Sequence, residues 1–351
     1  MASIFRILCI DGGGIRGIIP ALVLAEIEDR TGRPIHQLFD LIAGTSTGGI
    51  LALGLMKPGK RRRAQYTAKG LVQFYEKEGG RIFSRSLLHQ VLSVGNLLDK
   101  KYRSEPIETV LEEYFGDALL SEALQNVLLT SYDIERREAV FARSYRAKTN
   151  DDYDFLMRDL CRATSAAPTY FEPKYIENKS AHYALIDGGV FANNPAMCAL
   201  VDAIREFKKG LDEIFMVSLG TGNHAPPLDY EKVKNWGVIS WAQPILSVVF
   251  HGVSDTVHYQ TRQIFNEEGK PNRYYRLQIE LSEGVSGLDN VANISELTRM
   301  AKTLIKERDA EIDAICKALP KKSTALSKKS APRKRTRNKV VSRTRPKRLA
   351  A

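Results

Sequence analysis

Apolar and polar residues alternate along the chain with two different periods. Six short runs of mainly apolar residues predict β-strands, near residues 6–10, 38–44, 127–134, 139–145, 183–189 and 213–222. Between them lie longer segments in which apolar residues recur every three or four positions, as in residues 17–30, and these predict helices. Strands separated by crossover helices are typical of a mostly parallel sheet with helices on both faces, so the pattern predicts an α/β fold.

The pattern changes in the last third of the chain. After about Thr221 the sequence is more helical, and it includes a strongly periodic segment at 294–319. Residues from 320 onward contain too few apolar side chains to offset the entropy of ordering them. The sequence therefore predicts an α/β core over residues 4–220, a helical part over 221–319 that packs on this core, and a disordered tail over 320–351.

The positive charge is concentrated in that tail. Of 52 Lys and Arg residues, 13 lie in residues 321–351, which contain no acid, so the rest of the chain has 39 basic and 41 acidic residues. The tail is predicted to bind an anionic membrane or a nucleic acid by charge alone, or else to remain solvated. Of the two binding partners, a membrane is more consistent with the candidate chemistry described below. A second basic cluster is either a further anionic-surface contact or an exposed loop; it comprises Lys57, Lys60, Arg61, Arg62 and Arg63.

The four cysteines are widely spaced and lie in apolar or helical surroundings: Cys9, Cys161, Cys198 and Cys316. This favours buried free thiols over metal ligands or disulfides, and so a reducing, cytoplasmic compartment. The longest apolar candidate for a membrane span, 236–253, is interrupted by polar residues and a proline. It is predicted to be a partly buried helix, and a membrane-facing surface is the alternative. Residues 4–10 lead directly into a glycine loop, which indicates a first core strand rather than a secretory signal.

The first chemical motif follows the second predicted strand. Residues 44–48, Gly-Thr-Ser-Thr-Gly, fit G-x-S-x-G between a strand and a helix. In that setting the turn holds the Ser46 hydroxyl outward at a helix N-terminus, which favours developing negative charge, while Gly44 and Gly48 let neighbouring backbones pass closely. Ser46 is therefore a candidate nucleophile; the alternative is a tight turn that simply requires small residues.

The second motif is a glycine loop after the first predicted strand. Gly12, Gly14 and Gly17 have the spacing of a dinucleotide-binding turn. Such a site would need an acidic residue at the end of the second strand, where this chain has the serine turn instead. We therefore expect the backbone N–H groups of Gly12, Gly13 and Gly14 to bind an oxyanion formed at Ser46.

The third motif is an aspartate at the end of the fifth predicted strand. Asp187 ends an apolar run and precedes Gly188 and Gly189. A simple turn residue would explain it, but the strand ends at Asp11, Ser46 and Asp187 are expected to meet at one edge of a parallel sheet. This favours Asp187 as the base that accepts the Ser46 proton, with a carboxyl pKa raised by partial burial.

Taken in order, three segments resemble the three motifs of the patatin-like phospholipases: DGGGIRG (11–17), GTSTGG (44–49) and DGG (187–189). Two more are similar to that family, specifically to its stand-alone bacterial members: RATSAAPTYFEP (162–173) and GGVFANNP (188–195). The resemblance covers residues 4–220 well and the following helical part more loosely. It does not extend to the tail.

The resemblance implies a three-layer α/β/α sandwich and a Ser–Asp dyad without histidine. Carried onto this chain, Ser46 is the nucleophile and Asp187 the base, while Gly12, Gly13, Gly14 and Arg16 form or support the oxyanion hole. The implied activity is that of a phospholipase A-type acyl hydrolase of membrane phospholipids, peripheral at the inner face of the membrane. No calcium-binding pattern is present in the sequence, so neither a metal nor a cofactor is expected.

Two other classes of function remain open at this point. A Ser-Asp-His triad esterase would use His224, His251 or His258, of which His224, after a strand end, is the best candidate. A non-enzymatic lipid-binding protein is the other alternative on the same fold. Some bacterial patatin-like phospholipases of this size also resemble antiphage effectors that a cyclic nucleotide activates; this activator is a hypothesis from the family alone.

Overall fold

The described residues form a central sheet of eight strands. The computed structural model describes residues 4–83, 102–223, 227–241, 244–266, 271–282 and 284–320. The strands are, in chain order, β1 (Phe5–Ile10), β2 (Leu41–Thr45), β3 (Asn126–Asp133), β4 (Glu138–Arg143), β5 (Lys174–Glu177), β6 (His182–Asp187), β7 (Ile214–Leu219) and β8 (Tyr274–Leu277). They are ordered β5-β6-β3-β2-β1-β7-β8, with β4 also paired to β3.

The middle of the sheet is parallel and buried on both faces. β3, β2, β1, β7 and β8 pair in parallel. Every residue of β2 and β7 is buried, which explains why these strands are continuous apolar runs in the sequence rather than alternating ones. β4, β5 and β6 are antiparallel to their partners. The predicted parallel sheet is thus confirmed for the centre, whereas one side of the sheet is antiparallel.

Helices occupy the connections between strands and much of the chain after β7. The described α-helices are α1 (Ile18–Thr31), α2 (Thr47–Met56), α3 (Ala68–Ile82), α4 (Glu105–Phe115), α5 (Ser144–Ala147), α6 (Met157–Thr164), α7 (Gly189–Ala192), α8 (Ala196–Arg205), α9 (Tyr230–Val233), α10 (Val238–Trp241), α11 (Pro244–Phe265), α12 (Ile294–Glu307) and α13 (Asp309–Ala318). The segment 236–253 contains α10 and the start of α11. Within the described residues, no helix is both long and apolar enough to cross a membrane.

The two faces of the sheet have separate apolar cores. Because successive strand residues point to opposite faces, Leu8 and Ile10 of β1 lie in one core, with residues of α1, α2 and α3. Ile7 and Cys9 lie in the other core, with residues of α8 and α11. The protein is therefore a three-layer α/β/α sandwich, as predicted.

The part of the chain after residue 221 contributes a strand as well as helices. β8 pairs with β7, from Met216 opposite Tyr274 to Leu219 opposite Leu277, and α12 packs against α1. The sequence pattern does not predict β5 or β8, since each has only four residues and gives no distinct apolar run. β7 and β8 lie on either side of the predicted boundary at residue 220. The predicted disordered tail, 320–351, lies outside the described residues from 321 onward.

Candidate active site

Ser46 occupies a sharp turn between β2 and α2. Its backbone has φ 56° and ψ −125°, a strained conformation for a residue other than glycine. The turn requires close approach of backbones: a Cβ on Gly44 would lie 2.3 Å from the Gly48 carbonyl oxygen. A Cβ on Gly48 would in turn lie 2.2 Å from the Ile10 carbonyl oxygen. The serine is thus held at the N-terminus of α2, between two glycines that no larger residue can replace without a shift.

Two threonines fix this turn in place. The Ser46 N–H donates to Thr164 Oγ1 at 2.9 Å, and the Thr164 hydroxyl donates to the Thr130 carbonyl oxygen at 2.6 Å. Thr164 ends α6 and Thr130 belongs to β3, so the turn is tied to both elements. Hydrophobic periodicity and motif spacing do not identify Thr164 as a site residue. The sequence feature that could have identified it is its position in the RATSAAP segment, which resembles the family.

Asp187 lies beside Ser46 although its strand runs in the opposite direction. β6 is antiparallel to β3, and Asp187 pairs with Ser131. The preceding residue of β3, Thr130, pairs with Thr45 at the end of β2. The strand end therefore reaches the expected edge of the sheet, but through an antiparallel pairing rather than the parallel one that we expected.

The carboxyl group of Asp187 is buried, with an exposed fraction of 2%. Burial raises its pKa from the ordinary value to about 7, and hydrogen bonds from the Gly189 N–H and the Ser46 side chain offset part of that rise. The Gly189 N–H donates to Asp187 Oδ1 at 2.7 Å. The carboxyl group that contacts the serine hydroxyl can therefore both accept and donate a proton near neutral pH.

The glycine loop lies against the serine turn. Gly13 and Gly14 line the same pocket as Ser46, and within the described residues their N–H groups donate no hydrogen bond. The N–H of Gly12 differs, because it donates to the Asn193 carbonyl oxygen at 3.0 Å. Of the three glycines proposed from the sequence, Gly13 and Gly14 therefore keep unused donors beside the pocket, while Gly12 fastens the loop to the segment after α7.

Arg16 contacts the backbone of this loop. Its Nε and Nη1 atoms lie 3.4 Å from the carbonyl oxygens of Gly13 and Ser286. Burial lowers the pKa of its guanidinium to about 10, against the opposing effects of Tyr170 and Asp11. Arg16 lines a smaller pocket next to the one that contains Ser46. Its position is that of a residue supporting the glycine loop.

Asp11, which precedes the glycine loop, forms a buried ion pair. Its carboxylate accepts hydrogen bonds from Arg276 Nη1 at 2.8 Å, from Arg276 Nη2 at 2.5 Å and from the Ser254 hydroxyl at 3.0 Å. These contacts join the end of β1 to β8 and α11. Sequence patterns do not single out Arg276, because one arginine in a four-residue strand forms no motif.

The pocket that contains Ser46 and Asp187 is largely apolar. The space between its lining atoms is about 710 Å³ when the solvent at its open mouth is included. Its polar end is formed by the dyad candidates, Asn193 and the glycine loop. Thr47 and Ser165 also line it, and most of the remaining lining is aromatic or aliphatic: Ile15, Ile50, Phe74, Tyr75, Ile82, Phe83, Ile107, Tyr170, Phe171, Phe250 and Leu288. Such a lining suits a hydrocarbon chain whose carbonyl group lies at the polar end.

Two of the three histidines considered for a triad lie elsewhere, and the third, His224, is outside the described residues. His251 lines the smaller pocket with Arg16. His258 Nδ1 lies 3.1 Å from the Tyr274 hydroxyl, in a cleft beside β8. Among the described residues that line the pocket of Ser46, none is a histidine.

The basic cluster after α2 lies at the opposite end of that helix from Ser46. Ten residues of α-helix separate the two ends by about 15 Å. The Lys57 ammonium donates to the Tyr114 carbonyl oxygen, whereas residues 60–63 are exposed. The cluster is therefore an exposed loop that does not border the pocket.

The four cysteines are free thiols, and Cys9 and Cys161 are fully buried. Burial raises the thiol pKa of both. In the part of the chain that the structure describes, no group of three or more His, Cys, Asp or Glu side chains is placed to hold a metal ion.

Comparison with known proteins assigns this α/β/α protein to a family. The family model of the patatin-like phospholipases matches residues 8–200, more than half of the chain. Patatin-like protein 1 of Arabidopsis thaliana is 30% identical over 341 residues, with 87% of this chain and 82% of the relative covered. The chain belongs to the patatin-like phospholipase family, and the resemblance predicted from its motifs is confirmed.

Other relatives differ in what their names state. A potato (Solanum tuberosum) protein named probable inactive patatin-3-Kuras 1 is 30% identical over 340 residues, with 89% of each chain covered. Among solved structures, human GIVD cytosolic phospholipase A2 matches with a TM-score of 0.47 at 11% identity, covering 90% of this chain and 60% of that chain. One relative at this level of identity is thus named as inactive, so membership of the family does not by itself establish activity.

Proposed function

We propose that this protein is a phospholipase A-type acyl hydrolase that cleaves fatty acyl esters of membrane phospholipids through Ser46 and Asp187. The observation that carries the proposal is the contact of Ser46 with a buried carboxyl group of pKa about 7, at the polar end of an apolar pocket. Such a carboxylate can accept a hydroxyl proton near neutral pH and return it to a leaving group. Membership of the family supports a lipid substrate.

In the first half-reaction, Ser46 Oγ attacks the acyl carbonyl carbon while its proton passes to the Asp187 carboxylate. The carbonyl oxygen becomes an oxyanion, for which the unused N–H groups of Gly13 and Gly14 are the available donors. Collapse of this intermediate breaks the ester C–O bond. The lysophospholipid leaves as an alcohol after taking the proton from Asp187, and an acyl ester remains on Ser46.

In the second half-reaction, Asp187 accepts a proton from a water molecule that attacks the acyl carbon. A second oxyanion forms at the same donors. Its collapse expels Ser46 Oγ, which takes the proton from Asp187, and the fatty acid leaves. One water and one ester are consumed for each fatty acid and lysophospholipid formed. No step requires a metal ion, so activity is expected in EDTA.

We also propose that the enzyme acts at the inner face of the membrane as a peripheral protein. The free cysteines support a reducing compartment. The basic tail, outside the described residues, is proposed to add attraction to anionic lipid. Deleting residues 321–351 tests that part: unchanged binding to anionic vesicles at low and moderate salt would exclude it.

The direct test is fatty acid release from mixed phospholipid vesicles in EDTA. Wild type is expected to release fatty acid, and both Ser46→Ala and Asp187→Asn are expected to lose the activity. Asp133→Asn is a matched control, since Asp133 is also a buried aspartate on a neighbouring strand but accepts from Arg136 Nη1 at 2.6 Å and does not line the pocket. Comparable melting temperatures establish that each variant is folded.

Other outcomes point to the alternatives. Release that survives Ser46→Ala refutes the dyad, and release that His224→Ala abolishes favours a triad esterase. If the wild type is silent, the assay is repeated with cyclic di- and trinucleotides, whose effect would support an activated antiphage effector. Silence in every condition favours a lipid-binding protein without activity. Full activity of the protein alone, unchanged by these nucleotides, removes the activator from the proposal.

A further inference from the structure

Exposed apolar side chains are concentrated in the described residues 228–241 and 244–248, which we call the 228–248 segment. Val238 is 88% exposed and Tyr230 is 73% exposed, and Leu228, Ile245 and Val248 are exposed as well. Single exposed apolar residues are normal on protein surfaces, but these follow one another along one stretch of the chain. A concentration of this kind indicates an interaction surface.

Helix α11 connects the 228–248 segment to the pocket. On one face of the helix, Phe250 lines the pocket of Ser46, and the Ser254 hydroxyl donates to Asp11. Ile245 and Val248, three residues apart and so on one side of the helix, are exposed instead. Val248 and Phe250 are separated by about 3 Å along the helix axis. Around the axis, however, Val248 is about 200° from Phe250, so the exposed apolar side chains lie on the face of α11 opposite the one that lines the pocket.

Both tryptophans of the chain lie in the 228–248 segment. The rings of Trp236 and Trp241 meet edge to face with their centroids 5.4 Å apart, and both side chains are partly exposed. Tryptophan and tyrosine are enriched where the headgroups of a membrane meet its hydrocarbon, because one end of each ring is apolar and the other polar. The composition of the segment suits a lipid interface.

We propose that the 228–248 segment docks the protein on a zwitterionic phospholipid surface, with α11 presenting its outer face to the lipid and its inner face to the pocket of Ser46. The inference rests on the proposed function, since a phospholipid reaches the pocket from its membrane. Two acidic residues, Asp229 and Glu231, balance Lys232 and Lys234 in the segment. Docking is therefore hydrophobic, and neither anionic lipid nor low salt is needed for it.

The test uses Ser46→Ala protein with phosphatidylcholine vesicles, so that no lipid is consumed during the measurement. Binding is followed by co-sedimentation and by the fluorescence of the two tryptophans, which reports on the segment without a label. We expect a blue shift on adding vesicles, and equal binding at low and high salt. Val238→Asp and Val248→Asp, each added to Ser46→Ala, are expected to weaken binding at least tenfold.

Val201→Asp is the matched control. Val201 is 49% exposed on α8 and Val248 is 46% exposed on α11, so the two changes are alike in residue type and exposure. The control is expected to bind as Ser46→Ala does. Equal binding by all four proteins, or no shift in tryptophan emission, overturns the proposal. A dimer in sedimentation velocity that Val238→Asp dissociates would instead show that a second copy of the chain covers the segment.

Failure of docking and failure of the proposed function are distinguishable. Hydrolysis of a soluble short-chain ester by the wild type tests Ser46 and Asp187 without any membrane. In an otherwise wild-type protein, Val238→Asp is expected to lower vesicle hydrolysis relative to soluble-ester hydrolysis by at least tenfold. Vesicle binding by Ser46→Ala tests the surface even if the wild type hydrolyses nothing.

Discussion

Replacing Asp187 by asparagine is expected to stabilise the fold while removing the base. Burial raises the carboxyl pKa from 3.8 to about 7. When the group is ionised in both the folded and the unfolded state, this difference lowers the free energy of unfolding by about 4 kcal/mol. Because the folded-state pKa lies above the unfolded-state pKa, the loss is absent below about pH 4, grows up to about pH 7 and is constant above it. At pH 5 it is about 2 kcal/mol. Asparagine carries no charge, and its side-chain oxygen can still accept the Gly189 N–H.

Urea unfolding of wild type and Asp187→Asn at pH 5 and pH 8 measures this effect. The gain in the free energy of unfolding is expected to be about 2 kcal/mol larger at pH 8 than at pH 5. Asp133→Asn is the control, because the pKa of Asp133 is shifted in the opposite direction. Burial raises this pKa, but hydrogen bonds from Arg136 outweigh the effect of burial and lower it. Replacing the Asp133 carboxylate is expected to lower the free energy of unfolding by the same amount at pH 5 and pH 8, since the group is ionised at both. A gain for Asp187→Asn that does not change with pH would refute the reasoning.

Other contacts of the site predict further measurable outcomes. With Asp187 as base, kcat/KM for a soluble ester falls about tenfold per pH unit below about pH 7, and a flat profile from pH 5 to pH 8 would exclude this role. Arg276→Met leaves the Asp11 carboxylate buried without its cation and lowers the free energy of unfolding by about 3–5 kcal/mol. The double variant with Asp11→Asn loses less in the same unfolding assay, and equal losses would refute a coupled pair. In Gly14→Ala the new Cβ meets the Leu288 carbonyl oxygen at 2.1 Å, so kcat falls about 100-fold or more, and a nearly unchanged kcat would remove Gly14 from the oxyanion hole.

The centre of the sheet could be predicted because its residues are buried on both faces. β2 and β7 are continuous apolar runs that need no distant partner to be recognised. The turn at Ser46 is local as well, since a strand, two glycines and a helix lie within a few residues of each other. These features depend on neighbours in the sequence, and the sequence therefore predicts them.

The features that could not be predicted depend on contacts between distant residues. Arg276 is recognisable only from its ion pair with Asp11, 265 positions earlier. The reversed direction of β6, which brings Asp187 to the site, is set by its pairing with β3. Gly12 and Gly13 look alike in the sequence, but only Gly12 has its N–H occupied by Asn193. Periodicity and motifs contain no information about such partners.

The Asp11–Arg276 ion pair also sets an order of events during synthesis. The ribosome releases Ser46 and Asp187, and the whole region matched by the family model, before Arg276 exists. Until β8 joins the sheet, Asp11 lacks the hydrogen bonds from Arg276, and the start of the glycine loop is not tied to that strand. For the proposed hydrolase, a growing chain that already contains Ser46 and Asp187 still lacks this contact to the glycine loop beside them, which forms only when one of the last parts of the sheet is made.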